Sequence, residues 1–231
     1  MKIAVISDIH GNLDAIEAVI NEIKKNGIKK IYNLGDIMGY YYKSNECINL
    51  LRKNKVKSVF GNHEKIYFKS KKNKKYLNSI KKKYGRGLNI SSKKISKNNF
   101  KWLTKLPKKI TTKKNKNFLF CHGSPYSEND YIYKNKIKDF KKIFSQIKYD
   151  YVFVGNTHIQ MRKKIKNTVI INPGSVGQPR ESGVKGAQWC IFDTNRCRVF
   201  FKETIYKKNN LLKMIKKYDP TNHFLRNVLV R

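Results

Sequence analysis

Five short polar clusters in this sequence carry side chains that could bind metal ions, and each cluster follows a predicted strand. They contain four of the five histidines and read Asp8-Ile9-His10, Gly35-Asp36, Gly61-Asn62-His63-Glu64, His122-Gly123 and Gly155-Asn156-Thr157-His158. Any one cluster alone is most typical of a turn or a helix cap. Together they combine imidazole, carboxylate and carboxamide groups, a set that suits Mn, Fe, Zn or a similar divalent cation better than Ca or a thiolate-bound metal.

Such a set predicts chemistry at phosphorus. A carboxylate such as Asp36 can bridge two cations about 3.5 to 4 Å apart, and the pair lowers the pKa of bound water and stabilises both oxygens of an in-line displacement. The sequence has no Gly-x-Gly-x-x-Gly or Gly-Lys-Ser/Thr loop. Dinucleotide-cofactor enzymes and nucleoside triphosphatases of the P-loop type are therefore excluded.

An alternation of strands and helices must position these clusters. Apolar, β-branched runs predict strands at 2–7, 30–34, 57–60, 117–121 and 151–154, and apolar residues at helical spacing predict helices at 12–25 and 44–54. This order predicts an α/β protein with a parallel sheet. Because loops at the carboxyl ends of parallel strands converge on one crevice, we expect the clusters to meet there.

The rest of the chain predicts further elements within one domain spanning residues 1–231. A helix is predicted at about 65–83 and ends near Gly85 and Gly87, and shorter helices are predicted at 98–106 and 136–146. Strands and hairpins are predicted between 161 and 205, followed by a helix at 209–218. The last dozen residues have no clear period. The domain thus carries a basic, largely helical insert at about 65–116 and a C-terminal helix and tail at about 207–231.

The charge of the chain is strongly positive, with 52 Lys and Arg against 15 Asp and Glu and a formal net charge of +37. The excess is uneven, because residues 65–127 hold twenty Lys and Arg and no Asp or Glu. Two interpretations stay open. A positive field attracts polyanions such as nucleic acid, but abundant Lys, Asn and Ile also follow from the codon bias of an AT-rich genome.

Composition also indicates the class of protein. The hydrophobic fraction is 39%, which is too high for a disordered polycation, so a core is expected. The four cysteines have no regular spacing, which excludes a disulfide scaffold or a zinc ribbon. No apolar run approaches the roughly 20 residues of a membrane span. We therefore expect a cytoplasmic protein with no membrane partner, and the sequence does not indicate its oligomeric state.

The ordered clusters resemble the calcineurin-like metallophosphoesterase superfamily. The matching segments are Ser7-Asp8-Ile9-His10-Gly11-Asn12, Gly35-Asp36-Ile37-Met38-Gly39, Gly61-Asn62-His63-Glu64, Cys121-His122-Gly123-Ser124-Pro125 and Gly155-Asn156-Thr157-His158. The similarity extends from residue 1 to about residue 204, and the segment 171–180 is similar to the small prokaryotic phosphodiesterases of that superfamily. The resemblance implies a four-layer α/β/β/α sandwich, in which helices flank two mixed β-sheets.

The resemblance also implies roles for individual residues. Asp8, His10 and His158 would bind a first metal ion, and Asp36 would bridge to a second ion. Asn62, His122 and Asn156 would complete the second site. His63 would be the catalytic residue, which stabilises the transition state or protonates the leaving oxygen. The implied cofactors are two divalent ions, chosen from Mn, Fe, Ni and Zn.

Asn156 departs from the pattern of the family, which normally has Gly-His-x-His in this motif. A carboxamide oxygen is a weaker donor than imidazole to a borderline transition metal. The sequence therefore predicts a weakened second metal site. The protein is then either a metal-demanding enzyme or one whose site holds a single ion or is nearly inactive.

The function that we expect is hydrolysis of a phosphodiester or phosphomonoester, preferably nucleotide-like, by attack of metal-bound hydroxide. Two alternatives stay open, a nucleic-acid-binding protein and a protein-interaction scaffold, each with a weakened metal site. Nucleic acid or a nucleotide could bind through the basic segment. Ser175 and Arg180 are candidates for contact with a substrate phosphate. Tyr40, Tyr41 and Tyr42 form either an aromatic wall of the site or part of the core.

Overall fold

The computed structural model of the chain describes residues 1–113 and 115–230. Its strands are β1 (Lys2–Ile6), β2 (Lys30–Asn33), β3 (Lys57–Ser58), β4 (Lys109–Lys113), β5 (Asn117–Cys121), β6 (Tyr151–Phe153), β7 (Gln160–Ile165), β8 (Thr168–Pro173), β9 (Ala187–Asp193) and β10 (Arg198–Thr204). Its helices are α1 (Leu13–Lys25), α2 (Ser44–Lys53), α3 (Asn62–Lys72), α4 (Lys74–Tyr84), α5 (Gly87–Lys94), α6 (Lys97–Thr104), α7 (Ile137–Phe144), α8 (Asn209–Tyr218) and α9 (His223–Val230).

The strands form two mixed sheets of five strands each. The first sheet has the order β10-β9-β1-β2-β3, and the second has the order β4-β5-β6-β8-β7. In the first sheet β1, β2 and β3 are parallel, whereas β9 pairs antiparallel with both β1 and β10. In the second sheet β5, β6 and β8 are parallel, and β4 and β7 pair antiparallel at the two edges.

The two sheets pack face to face because each central strand is apolar on both sides. Along β1, Ile3 and Val5 belong to the core between the sheets, where they join Phe120 and Phe153 of the second sheet. Successive side chains of a strand point to opposite faces, so Ala4 and Ile6 instead join the core under α1 and α2. On the far side, α7 covers the second sheet. The predicted four-layer α/β/β/α sandwich is confirmed.

The acid-free segment is largely helical, but its helices differ from the predicted ones. The helix predicted at about 65–83 is two helices, α3 and α4, separated by Asn73. Asn73 has an extended backbone, and its side chain accepts a hydrogen bond from the amide of Tyr76. It is therefore the N-cap of α4 and ends α3. Helix α5 and strand β4 were not predicted by the sequence pattern.

The C-terminal residues also differ from the prediction, because residues 223–230 form α9 and not an irregular tail. Leu225 and Leu229 of α9 and Leu211 of α8 pack against Tyr41 and Tyr42. The interpretation of Tyr41 and Tyr42 as core residues is therefore correct. No helix in the described ranges combines the length and apolar character needed to cross a bilayer.

Candidate metal centre

The candidate site lies where the carboxyl ends of parallel strands from both sheets come together. Asp8 follows β1, Asp36 follows β2, His122 follows β5, and Asn156 and His158 follow β6. All of these are buried. Four of them, Asp8, Asp36, Asn156 and His158, have φ angles of 55°, 55°, 66° and 61°, and His10 has 53°. Left-handed backbone costs a non-glycine residue of order 1–3 kcal/mol and clusters at functional sites.

The ligand atoms of the predicted residues converge. Three groups, each with all its ligand atoms within 4.8 Å of one another, are found among the described residues: Asp8, His10 and His158; His10, Asp36 and His63; and Asp8, Asp36 and His122. The first group is the predicted first metal site. Asp8, His10 and Asp36 occur in two groups each, so the three groups share members and form one continuous cluster.

Three of the imidazoles are oriented by backbone carbonyl groups. His10 Nδ1 lies 2.9 Å from the backbone oxygen of Met38. His122 Nδ1 lies 2.7 Å from the backbone oxygen of Leu34, and His158 Nδ1 lies 2.6 Å from that of Gln178. A carbonyl oxygen can only accept, so Nδ1 carries a hydrogen in each ring. In the neutral ring Nε2 then has a free lone pair, and this arrangement is typical of metal-ligating histidine.

Lone pairs of histidine nitrogens and of a carboxylate oxygen face one another inside the cluster, as they would around a bound metal ion. The Nε2 atoms of His10 and His158 are 3.2 Å apart, and Asp8 Oδ1 lies 3.3 Å from the latter. Asp8 Oδ1 and Asp36 Oδ2 are buried without any hydrogen-bond partner. Buried acceptors that face acceptors are costly unless a cation lies among them. The donor set therefore fits divalent transition metals.

Electrostatics within the cluster favours charged carboxylates. Burial by itself would raise the pKa of Asp8, but His158 outweighs it and lowers the pKa to about 2. The pKa of Asp36 is also lowered, because His122 and His63 outweigh burial. Burial lowers the pKa of His122, yet Asp36 raises it to about 10. In the metal-free chain a proton on His122 therefore balances part of the carboxylate charge, and metal binding would displace it.

His63 lies beside the cluster at the start of α3. Its amide donates to Asp36 Oδ1 at 2.8 Å, and the centroid of its ring is 4.6 Å from that of His10. Burial lowers the pKa of His63 to about 4, although the nearby Asp36 acts in the opposite direction. The ring is therefore neutral at pH 7 in the metal-free chain.

The two asparagines of the predicted second site contact the cluster in different ways. Asn62 Oδ1 lies 2.8 Å from His122 Nε2. Asn156 contacts the cluster through its backbone amide, which donates to Asp8 Oδ2 at 3.1 Å, while its side-chain Nδ2 donates to the Asp130 carbonyl at 2.9 Å. The structure thus brings together the side chains of six predicted ligands and of His63, and it brings the backbone of the seventh, Asn156, against Asp8.

Glu64 is a positioning residue that the sequence analysis did not identify. Its Oε2 accepts from the amides of Asp36 and Gly61, and its Oε1 accepts from those of Ile37 and Met38, all at 2.9 Å. One buried carboxylate thereby holds the loop after β2 against the first turn of α3. The Gly-Asn-His-Glu cluster was a signal for this role, since an acidic residue at this position of a helix often bonds back to the N-cap amide.

Gly39 allows the histidines to approach one another. A Cβ atom at this position would lie 2.5 Å from His10 Nδ1 and 2.6 Å from His63 Nδ1, and the φ angle is +137°. The short distances mean that any larger residue would displace the two histidine rings, and the positive φ angle would strain its backbone.

The two candidates for phosphate contact have different surroundings. Ser175 is buried, and its Oγ donates to the Asp8 carbonyl and accepts from the Gln178 amide, both at 2.8 Å. It supports the turn that carries Asp8 and does not face a substrate. Arg180 donates from Nη2 to the Tyr40 hydroxyl at 3.0 Å. Because the Tyr40 ring lies 4.7 Å from that of His10, Arg180 stands beside the cluster.

Aromatic side chains from distant parts of the chain surround Tyr40 and His63. The ring of Tyr84 lies 5.4 Å from Tyr40 and 5.1 Å from His63, and the half-exposed ring of Phe224 lies 6.3 Å from Tyr40. Neither Tyr84 nor Phe224 has a sequence signal that links it to the metal-binding clusters. Only the packing of α4 and α9 brings them there.

Comparison with protein families gives one match that spans most of the chain. Residues 1–196 match the model of the calcineurin-like phosphoesterase superfamily domain. A Methanocaldococcus jannaschii protein, named uncharacterized protein MJ0912, is 40% identical over 210 residues, which cover 83% of this chain and 82% of that protein.

Two solved structures resemble this chain over nearly their whole length. A metallophosphoesterase from Sphaerobacter thermophilus superposes with a TM-score of 0.81 at 26% identity, covering 100% of this chain and 99% of that one. The hypothetical protein PH1004 from Pyrococcus horikoshii superposes with a TM-score of 0.85 at 22% identity, covering 98% and 97%. At that identity the second likeness shows the fold alone.

Proposed function

Because the chain belongs to the calcineurin-like phosphoesterase superfamily, we propose that it is an active metal-dependent phosphoesterase that hydrolyses a phosphodiester or a phosphomonoester. One observation carries the proposal. Three buried acceptor atoms, on Asp8, His10 and His158, face one another, and the Asp8 oxygen among them has no hydrogen-bond partner. A protein that served only as a scaffold would have no reason to keep this arrangement, which is unfavourable without cations.

The proposed ligands divide into two sets. Asp8, His10 and His158 hold the first ion, and Asp36 is shared between the two ions. Asn62, His122 and Asn156 hold the second ion, more weakly than a histidine-completed site would. Mn, Fe, Ni and Zn all suit this donor set. When bound, the two ions lower the pKa of a water molecule and neutralise charge on the phosphate.

The chain's own residues orient the substrate and move a proton. We propose that Arg180, which donates from Nη2 to the Tyr40 hydroxyl beside the cluster, binds a phosphate oxygen through charge-assisted hydrogen bonds. His63 is neutral in the metal-free chain, and a bound phosphate anion favours its protonated form. A protonated His63 can then donate to the oxygen of the leaving group.

The aromatic surroundings support a substrate with an aromatic leaving group or base. Tyr84 and Tyr40 present rings beside His63, and base–aromatic stacking contributes about 1–3 kcal/mol per base. We therefore favour a nucleotide-like phosphate ester. We also propose a cytoplasmic location for this activity, because the four cysteines are free thiols.

The test is hydrolysis by metal-stripped protein to which Mn, Ni, Zn, Mg and Fe are added in turn. The substrates are bis(4-nitrophenyl) phosphate, 4-nitrophenyl phosphate and a set of nucleotides. We expect turnover that depends on added transition metal, and little turnover with Mg because the donor set is rich in nitrogen. Protein that hydrolyses no substrate with any of these metals would contradict the proposal and favour a binding protein.

His63→Asn tests the assignment within the same assay. We expect kcat to fall about a hundredfold or more, as is usual when a positioned proton donor is removed. Metal content measured by mass spectrometry serves as the control and should stay unchanged, because His63 is not among the proposed ligands. Unchanged kcat would exclude the role of His63, and a parallel loss of metal would make it a ligand.

A further inference from the structure

A second cavity, separate from the metal centre, lies between α4 and the turn that joins α8 to α9. Its volume is about 770 Å³. Lys81, Lys82 and Lys83 of α4 line one side together with Arg86, and Asp219 and His223 line the other. We call it the basic cavity.

The basic cavity has four cationic side chains and one carboxylate. That carboxylate, Asp219, is engaged by the protein itself. Its Oδ2 accepts a hydrogen bond of 2.8 Å from the Tyr42 hydroxyl, and both of its oxygens accept from the Arg86 amide at 3.0 to 3.1 Å. Asp219 therefore ties the two walls together. Among the cationic side chains, Lys81 donates to Asn78 Oδ1 at 3.4 Å and Lys83 lies 5.0 Å from the centroid of the Tyr84 ring, so neither charge is neutralised by a carboxylate.

Each wall of the basic cavity has a lining residue whose neighbour in the chain packs near the metal centre. Tyr84 follows Lys83, and its ring lies 5.1 Å from that of His63. On the opposite wall Phe224 follows His223, and its ring lies 6.3 Å from that of Tyr40. The cavity therefore adjoins, through these two aromatic residues, the rings of Tyr40 and the candidate catalytic histidine.

We propose that the basic cavity binds a phosphate group of the substrate other than the phosphate that is hydrolysed. The proposal rests on the proposed function, because the metal centre next to the cavity would hold the reacting phosphate. Lysine and arginine bind phosphate oxygens through charge-assisted hydrogen bonds, and several cations in a concave site select a group with more than one negative charge. A substrate with a single phosphate reaches the metal centre and leaves the cavity to solvent.

Two kinds of molecule carry a further phosphate at a short distance from the first. One is a nucleotide with a polyphosphate chain, and the other is a short single-stranded oligonucleotide. Stacking of a base on Tyr84 or Phe224 suits both, because each ring packs near the metal centre and follows a residue that lines the cavity. The chemistry that the cavity recognises is the same for both, and the experiment separates them.

The experiment compares two triple variants with the same loss of charge. The cavity variant, Lys81→Gln, Lys82→Gln and Arg86→Gln, removes three of the four cations of the cavity. It keeps Lys83, whose Nζ lies 5.0 Å from the centroid of the Tyr84 ring. The control variant removes three exposed cations around α7 and β7, on the side of the second sheet, by the substitutions Lys141→Gln, Lys142→Gln and Lys164→Gln. Thermal unfolding establishes that both full-length variants are folded.

Binding is measured first, on metal-free protein, by fluorescence anisotropy at low salt. The probes are a 5′-phosphorylated, fluorescein-labelled oligothymidylate and a fluorescent ATP analogue, each displaced by inorganic tripolyphosphate. We expect the cavity variant to bind the preferred probe about tenfold more weakly than the wild type, and the control variant to lose about twofold or less. Loss confined to the oligothymidylate identifies a nucleic-acid strand, and loss confined to the ATP analogue identifies a polyphosphate chain.

Hydrolysis is measured second, with metal added. We expect bis(4-nitrophenyl) phosphate, which has one phosphate, to keep its kcat/KM in both variants, and a substrate with a further phosphate to show a raised KM in the cavity variant alone. Equal weakening by both triples, or no weakening by either, would overturn the proposal. If no substrate is hydrolysed but only the cavity variant loses binding, the basic cavity stands as a phosphate site and the proposed function fails.

Discussion

Asn156 is the proposed metal ligand that differs from the pattern of the family, which normally has histidine at this position. Its φ angle of 66° lies in the left-handed region, where asparagine is enriched severalfold among non-glycine residues. Its amide supports Asp8, and its side chain is anchored to the carbonyl of Asp130. The residue therefore has a structural role in the turn, whatever affinity its side-chain oxygen adds.

We predict that Asn156→His strengthens the second metal site. Imidazole is a better donor to Mn, Zn or Ni than a carboxamide oxygen, so the variant should retain its second ion during dialysis against a mild chelator. The wild type should lose that ion under the same conditions. The measurement is metal per chain after dialysis, together with the metal concentration needed for half-maximal turnover.

Asn156→Ala is the matched control, since it removes the donor without replacing it. We expect it to bind the second ion no better than the wild type. Two ions that survive dialysis in the wild type itself would show that Asn156 does not weaken the site.

At the scale of elements, the metal centre depends on the junction between the loop after β2 and the first turn of α3. Glu64 forms this junction through four backbone amides, and the amide of His63 donates to Asp36 across it. A change at Glu64 should therefore affect both folding and metal binding, although Glu64 is not among the proposed ligands.

We predict that Glu64→Ala destabilises the metal-free chain by about 3 kcal/mol, because buried amides that lose their acceptor each cost about 1–3 kcal/mol and water recovers part of the loss. Metal affinity should also fall, since Asp36 loses its support. Urea unfolding and metal titration measure the two effects. Glu17→Ala, at an exposed position of α1, is the control and should change stability by less than about 0.5 kcal/mol. A Glu64 variant as stable as this control would contradict the proposed junction.

The sequence predicted most strands and the convergence of the metal-binding clusters, because both follow from local patterns. The run from Ile3 to Ile6 is apolar without interruption, and the polar residues that follow it must lie at the edge of a sheet. Helix α5 could not be predicted in this way. It begins at Gly87, a poor helix former, and a Cβ there would overlap the carbonyl group of Tyr40. Tertiary packing and not propensity determines that helix.

The contacts around His63 were not predictable for a similar reason. Tyr84 and Phe224 reach the site only because α4 and α9 pack beside it, and α9 is too short to be stable without that packing. The sequence shows Phe224, Leu225, Val228 and Leu229 in one short stretch, which is not enough to distinguish a helix from an irregular tail. Contacts over such sequence separations have no local signature.

At the scale of the whole molecule, the net charge of +37 produces a positive field around the candidate metal centre, whose proposed substrate is an anion. Such a field speeds the encounter with anions by about tenfold to a thousandfold, and salt screens it. The basic cavity is part of this field, but the field also includes cations far from the site.

We predict that kcat/KM for an anionic phosphodiester falls by about tenfold when salt is raised from about 0.01 M to about 0.15 M, because the screening length shortens from about 30 Å to about 8 Å. Stopped-flow or steady-state rates at constant free metal measure this dependence, and the midpoint of thermal unfolding controls for loss of structure. A kcat/KM that does not change with salt would favour codon bias as the reason for the lysine excess.

The position of β1 has a consequence for how the protein is made. This strand lies between β2 and β9, with Ala4 opposite Ile31 on one side and opposite Ile191 on the other. A ribosome therefore releases an apolar strand, with Asp8 and His10 at its end, long before the second neighbour of that strand exists. Sheets that join distant segments form slowly, and an apolar strand whose edge is still unpaired is prone to aggregate during that time. The metal centre therefore also forms late. His158 and the sheet that holds Asp8 in place are complete only when most of the chain has been synthesised.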